Sequence, residues 1–296
     1  MKPPYDRETG TYERVGGNGY SSGAQISADG LFVAFHSHAN NLVVGDTNGA
    51  PDCFIYDRSN GSVERVLGLG GTQDNSGAIP TDISHDGRFT VFYSNYGNFV
   101  AGDTNGSSDT FVYDRVMQIV ERVSIGTGGV QGNGASETAS ITPDGRFAAF
   151  ASTASNLVDG DTNGQRDIFV YDRLNGTTER VSISSDGSQL NGTSHHPSIS
   201  DDGRYVAFHS TATNGGNDAN GTEDVFVFDR NADTLTKLSV TDAGVAGNGQ
   251  SAMATVSGDG QYVVFDSYAS NLIAGDQNGV QDVFLANLSS PDWQLI

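Results

Sequence analysis

Apolar residues in this chain come in short bursts separated by polar turns, and no stretch holds helical spacing over several turns. Arg204-Tyr-Val-Ala-Phe-His-Ser and Asp167-Ile-Phe-Val-Tyr-Asp-Arg are typical. Both are rich in β-branched and aromatic residues and bounded by Gly, Asn and Asp, which marks short β-strands between turns. The bursts repeat. An Asp-Gly dipeptide recurs at Gly30, Gly87, Gly145, Gly203 and Gly260, at intervals of 57, 58, 58 and 57 residues.

Each repeat reads alike. Asn-Gly-x-Ser (Asn75-Ser-Gly-Ala in the second copy) opens a first strand that ends near Ile-Ser, and the Asp-Gly turn leads into a second. An acidic loop follows, then a third strand ending in Tyr-Asp-Arg, a short turn, and a fourth strand with Glu-Arg-Val. The turns between the first and second strands, and between the third and fourth, are short enough for hairpins. Four antiparallel strands at a fixed period predict the blades of a β-propeller, an all-β fold in which radial packing protects sheet edges. The expectation is one domain over residues 1–296 with five blades; a fragment of a six-bladed ring is the alternative. Residues 5–15, Tyr-Asp-Arg-Glu-Thr-Gly-Thr-Tyr-Glu-Arg-Val, copy the third and fourth strands of a repeat ahead of the first full copy. They are expected to close the ring as the outer strand of the last blade, where the Tyr-Asp-Arg and Glu-Arg-Val signatures are lost after Phe284.

The run Ser200-Asp-Asp-Gly-Arg-Tyr-Val-Ala-Phe208, with Asp224-Val-Phe-Val-Phe-Asp-Arg230, resembles the repeat of TolB-like β-propellers of bacterial envelope and secreted proteins. The resemblance spans nearly the whole chain and implies fold more than function, since such propellers include partner-binding scaffolds, protease-associated domains and some lyases. It also implies a secreted or periplasmic location. The first residues, Met-Lys-Pro-Pro-Tyr-Asp-Arg, have no apolar core of a signal peptide, so a removed leader is expected.

The loop before the third strand departs from the simple family repeat. Asp46/Asn48/Asp52, Asp103/Asn105/Asp109, Asp161/Asn163/Asp167, Asp218/Asn220/Asp224 and Asp276/Asn278/Asp282 set oxygen ligands at positions one, three and seven around a glycine. Hard cations take six to eight such oxygens, so calcium is expected at about one ion per blade; metal-free Asx turns are the other reading. Composition agrees with bound cations. There are 36 acids against 15 bases, and five divalent ions would bring the net charge of −21 to −11. Apolar pairs such as Leu157-Val158 are expected to pack under the loops. The fourth loop, shorter and without its pair, is expected to be the weakest.

That acidity disfavours nucleic acid and anionic membrane surfaces as partners. No apolar run approaches a membrane span. The single cysteine, Cys53, rules out an internal disulfide and reads as a small buried residue. Gly19-Tyr20-Ser21-Ser22-Gly23 fits the nucleophile-elbow formula without its strand-to-helix context and is set aside.

Recurring residues build blades; function sits where copies diverge. The Tyr-Asp-Arg and Glu-Arg-Val signatures are read as structural, with Arg173 facing Glu179 across the outer hairpin. After the second-strand Phe come His36, Tyr93, Ala151, His209 and Asp266. Entering the first strand come Ser22, Ile79, Glu137, His195 and Ala252, followed by Gly23, Pro80, Thr138, His196 and Met253. His36, Tyr93, Glu137, His195, His196, His209 and Asp266 are therefore expected to converge at the channel mouth. The expected function is a monomeric binding module for a protein, peptide or glycan. A polysaccharide hydrolase or lyase using His195, His209, Glu137 and Asp266 is the runner-up. A structural segment of a larger surface protein is the third reading.

Overall fold

The computed structural model describes residues 13–73, 77–216, 220–289 and the backbone of 293–295. They form five four-stranded antiparallel sheets, each ordered as the strands run in sequence, and a two-stranded ribbon of Ile125–Gly126 and Val130–Gln131. Blade 1 is Ser21–Ile26, Phe32–Ser37, Asp52–Asp57 and Ser62–Arg65. Blade 2 is Ala78–Ile83, Phe89–Ser94, Asp109–Asp114 and Ile119–Arg122. Blade 3 is Ser136–Ile141, Phe147–Ser152, Asp167–Asp172 and Thr177–Arg180. Blade 4 is Ser194–Ile199, Tyr205–Ser210, Asp224–Asp229 and Thr234–Lys237. Blade 5 is Ser251–Val256, Tyr262–Ser267, Asp282–Asn287 and Trp293–Leu295. The all-β propeller fold read from the repeats is what the chain adopts.

In every blade the central strands are buried and place two Phe opposite each other, from Phe35 with Phe54 to Phe265 with Phe284. Their rings stack at 5.4–5.9 Å. That rear face packs on small aliphatics of the preceding blade: Phe208 and Phe226 of blade 4 meet Ala149, Ala151, Ile168 and Val170 of blade 3. Alternation along the strands thus gives each sheet an aromatic rear face and an aliphatic front face.

The signatures weld these interfaces. The third-strand Asp pairs with the Arg that opens the second strand of its own blade, as Asp172 does with Arg146 at 2.8 Å. The Arg after it reaches backwards: Arg173 bonds Glu121 at 2.9 Å and the Gly145 carbonyl, and lies over the Phe89 ring of blade 2. Glu179 is held by Arg230 of blade 4. The expected Arg173–Glu179 pair is thus corrected, because the register of the outer hairpin sets Glu179 opposite Val170 while the two Arg side chains lean across the blade interface.

The ring-closing expectation is corrected as well. Residues 5–12 lie outside the described residues, and Glu13–Val15 carry no strand pairing. The fourth strand of blade 5 is Trp293–Leu295, in register against Phe284–Ala286.

Candidate functional site

The inner strand of four blades carries a β-bulge whose bulged residue has positive φ: Gly23 at 63°, Thr138 at 37°, His196 at 49° and Met253 at 56°. In blade 2 the equivalent residue is Pro80, whose ring fixes φ negative, and the irregularity falls one residue later, between Pro80 and Asp82. Bulges re-aim side chains and persist at functional places, and three of these are non-glycine residues in a region they rarely adopt.

The bulge of blade 4 builds a histidine cluster. His195 stands in register with His209 of the neighbouring strand. Ring centroids lie 5.6 Å apart for His195–His209, 5.2 Å for His196–His209 and 6.2 Å for His195–His196. Glu223, directly before the third strand, brings Oε1 to 4.0 Å from His209 Nε2, and Gln250 Nε2 donates to its other oxygen at 2.6 Å. Met253 N–H points at His209 Nδ1 from blade 5, at 3.4 Å. Burial lowers the pKa of all three histidines, with Arg166 adding to the effect at His195 and His196; His209 falls to about 4. All three rings are neutral near pH 7, with lone pairs available to a donor or a metal.

The cluster continues through charge. Arg166 approaches Glu137 at 3.6 Å, and burial together with Glu137 raises the Tyr93 pKa. Tyr93, Glu137, Arg166, the three histidines and Glu223 thus link blades 2, 3 and 4 along one end of the inner strands. His36 heads a separate group in blade 1, with Nε2 at 3.2 Å from Ser22 Oγ and its ring 6.3 Å from Tyr20. Asp266 stands in register between Ala252 and Val283. Sequence reasoning missed Arg166 and Glu223, although they sit at one divergent place, the residue before the third strand: Pro51, Ser108, Arg166, Glu223 and Gln281.

The acidic loops are Asx turns closed by the blade's own cation. Each loop asparagine turns its Oδ1 onto the backbone N–H two residues on, around a glycine at φ between 64° and 68°. Asn48 accepts from Ala50 at 3.2 Å, Asn105 from Ser107 at 2.9 Å and Asn163 from Gln165 at 2.8 Å. Asn220 accepts from Thr222 N at 2.8 Å and from its hydroxyl at 2.9 Å, and Asn278 accepts from Val280 at 3.0 Å. The Nδ2 groups point the other way, into the loop. Asn48 donates to both oxygens of Asp52, at 3.0 and 3.1 Å. Asn105 donates to Asp109 Oδ2 at 3.0 Å and to the Gly132 carbonyl at 2.9 Å. Asn163 donates to Asp167 Oδ2 at 2.9 Å, and Asn220 to the Gly247 carbonyl at 2.6 Å.

The carboxylates are met by a cation from the fourth strand. Arg180 Nη1 lies between Asp161 and Asp167, at 3.3 Å and 3.9 Å, while Ser182 Oγ donates to Asp167 Oδ1. Arg65 bridges Asp46 and Asp52, and Arg122 bridges Asp103 and Asp109, in the same way. In blade 4 Lys237 Nζ meets Asp224 at 2.6 Å; Asp218 lies outside the described residues, so the expected weakness of that loop does too. Leu157 packs under its loop against Phe150 and Phe169.

This arrangement does not fit an oxygen cage for calcium in the first three loops. The expectation that Asn48, Asn105 and Asn163 supply oxygen ligands beside the loop acids is corrected: their oxygens cap the turn, and their amide nitrogens, which repel a cation, face the inner carboxylates. Asn220 is corrected on the same ground, its oxygen taken by Thr222 and its nitrogen by a backbone carbonyl of the next connection. The carboxylates Asp52, Asp109 and Asp167 already accept Asn and Arg donors, so a guanidinium meets their repulsion. Burial still raises the pKa of Asp109, Asp161 and Asp167. Blade 5 differs: Leu295 holds the register position of these cations, opposite Phe284. Among the described residues no group of three or more His, Cys, Asp or Glu is arranged to hold a metal ion, and no helix is long and apolar enough to cross a membrane.

No protein-family model matches the chain, and no curated protein matches its sequence. Solved structures do. A putative TolB from Agrobacterium tumefaciens superposes with a TM-score of 0.55 at 15% identity, over 94% of this chain and 80% of that one. TolB from Acinetobacter baumannii gives 0.51 at 20% identity, over 93% of this chain and 53% of its own length. An oligogalacturonate lyase in complex with manganese gives 0.56 at 13%, over 91% and 63%. The structural neighbours of this chain are TolB-like β-propellers.

Proposed function

We propose that this chain is an interaction propeller that takes a protein, peptide or glycan at the end of the inner strands where Tyr93, Glu137, Arg166, His195, His196 and Glu223 gather. The observation that carries the reading is the contrast within the repeat. Asp-Gly, Tyr-Asp-Arg and Glu-Arg-Val are spent on blade construction, whereas these polar residues have no repeated counterpart and stand around a bulge that holds His196 at positive φ. Neutral imidazoles, a carboxylate pair and a guanidinium side by side suit a polar ligand with both donors and acceptors. A secreted or envelope location belongs to the same reading, and the likeness to TolB is compatible with it.

The test is a peptide and glycan array probed with the parent and with Glu137→Ala/His195→Ala/His196→Ala. A ligand of this site loses about tenfold or more in affinity in the variant, roughly 1.4 kcal/mol or above. A ligand bound equally by both places the function elsewhere.

Acid–base catalysis is the second reading, favoured by three neutral histidines beside Glu223. It predicts turnover of an acidic polysaccharide or an ester that His195→Ala abolishes in a folded protein. An inert parent across such a panel removes it. Calcium belongs to the proposal only for the fifth loop, Asp276, Asn278 and Asp282, where the chain supplies no Arg in register.

A further inference from the structure

The repeated interface has an unmatched half. In blades 1 to 4 the front-face residue at the second position of the third strand is fully buried by the next blade: Cys53, Thr110, Ile168 and Val225 are each 0% exposed. Its counterpart in blade 5, Val283, is 42% exposed, and Tyr262 beside it is 37% exposed. Elsewhere the aromatic at Tyr262's place is covered by the next blade's Asp-Gly glycine and third-strand Arg. A β-carbon on Gly87, Gly145 or Gly203 would overlap Phe32, Phe89 or Phe147, and Arg115, Arg173 and Arg230 lie over those same rings at 4.0–4.9 Å.

Blade 1 does not provide the missing half, because the place behind it is taken. Arg115, Arg173 and Arg230 are held by a fourth-strand Glu of the blade behind, namely Glu64, Glu121 and Glu179. Arg58 of blade 1 is held in the same manner by Glu13, at 3.0 Å, and Tyr56 also donates to Glu13. Blade 5 has its own residue at that register, Gln294, opposite Leu285. Two residues cannot both be the fourth-strand partner of one blade. The blade behind blade 1 is therefore not blade 5.

We infer that the ring has a sixth place, between blade 5 and blade 1, and that its occupant is a blade of this same repeat. Its outermost strand is residues 13–15 of this chain, and its inner hairpin comes from a segment other than those forming blades 1–5. The chemistry of the occupant follows from the four complete interfaces. It presents an Asp-Gly glycine to Tyr262, an Arg over that ring, and a stacked Phe pair against Val264, Val283 and Leu285.

Thiol labelling tests it, because Cys53 occupies the position of Val283 in a closed interface and serves as the internal control. Val283→Cys is made in the full chain, alone and with a copy of residues 193–210 joined after residue 296 by a flexible linker. In the unfused monomer the introduced thiol is expected to react about a hundredfold faster than Cys53, and the fused hairpin slows it about tenfold or more. A scrambled hairpin leaves the rate unchanged. A thiol as unreactive as Cys53 in the unfused monomer shows a self-closed five-bladed ring and overturns the inference. Protection that appears only with rising protein concentration assigns the face to a second copy and overturns it too. So does a thiol that stays reactive beside the intact hairpin.

Discussion

Asp82 shows how one residue can break a repeat's own rule. At the matching place in blades 3 and 4, Ser140 and Ser198 offer a hydroxyl to the backbone N–H of the following blade, from Ile199 and Val256 at 3.1 Å each. Blade 2 offers a carboxylate: Asp82 accepts the N–H of Ile141 at 2.9 Å and that of Ile83 at 2.8 Å. Two amide donors do not offset its burial, which raises its pKa to about 6. The native state then binds a proton between about pH 4 and 6 that the unfolded chain releases, so this group's contribution to stability falls as pH rises through that window. Asp82→Ser is expected to remove the slope. From pH 4 to pH 8 the variant should gain on the parent by on the order of 3 kcal/mol in urea unfolding. Parallel pH profiles would sink the assignment.

Arg180 makes the opposite case, a buried charge that is paired. Arg180→Leu strands Asp161 and Asp167 without a cation and is expected to lose about 3–5 kcal/mol, a range typical of broken buried pairs. Adding Asp161→Asn and Asp167→Asn should restore more than half of that loss. A silent Arg180→Leu would mean that the guanidinium does not close the loop.

Between elements, the energy lies in what one blade shows the next. Gly145 and Gly164 both sit at positive φ, 70° and 64°, but Gly145 faces the Phe89 ring while nothing lies within 4 Å of a β-carbon on Gly164. Gly164→Ala should therefore lose only the left-handed penalty, roughly 1–2 kcal/mol. Gly145→Ala should lose that plus an overpacking term of about 1–3 kcal/mol as blade 2 and blade 3 are pushed apart. Equal losses in thermal unfolding would show that the interface yields freely. The blades themselves were legible in the sequence because strand alternation, Asp-Gly turns and a 57–58-residue period are local signals. The partners of Arg173 were not. Glu179 lies across a tight turn from it, whereas its actual partner Glu121 is 52 residues back, and only the blade-to-blade lean of the side chain decides between them. The histidine cluster was half legible: divergence from the repeat singled out His195, His196, His209 and Glu137, and the same comparison one place before the third strand yields Arg166 and Glu223.

At the scale of the whole molecule the question is what balances the acids. Paired carboxylates in every loop, in a chain of net charge −21, read as calcium ligands in sequence because the loop residues were weighed without the fourth strand. The fold brings that strand's Arg65, Arg122 and Arg180 into the first three loops and Lys237 into the fourth, so the cation and its ligands come from one blade. Only the fifth loop keeps two acids with a leucine in register. Calorimetric titration with calcium should accordingly give at most one ion per chain, rather than five, and the bound metal in a dialysed sample should match. Chelation at constant ionic strength should move Tm by only a few degrees, since one site stabilises by its own ligand concentration over Kd and no more. In Arg180→Leu the third loop becomes the chemical equal of the fifth, and that variant should gain one calcium site relative to the parent. Five ions in the parent, or no added site in the variant, would show that the guanidinium and the metal are not alternatives for the same carboxylates.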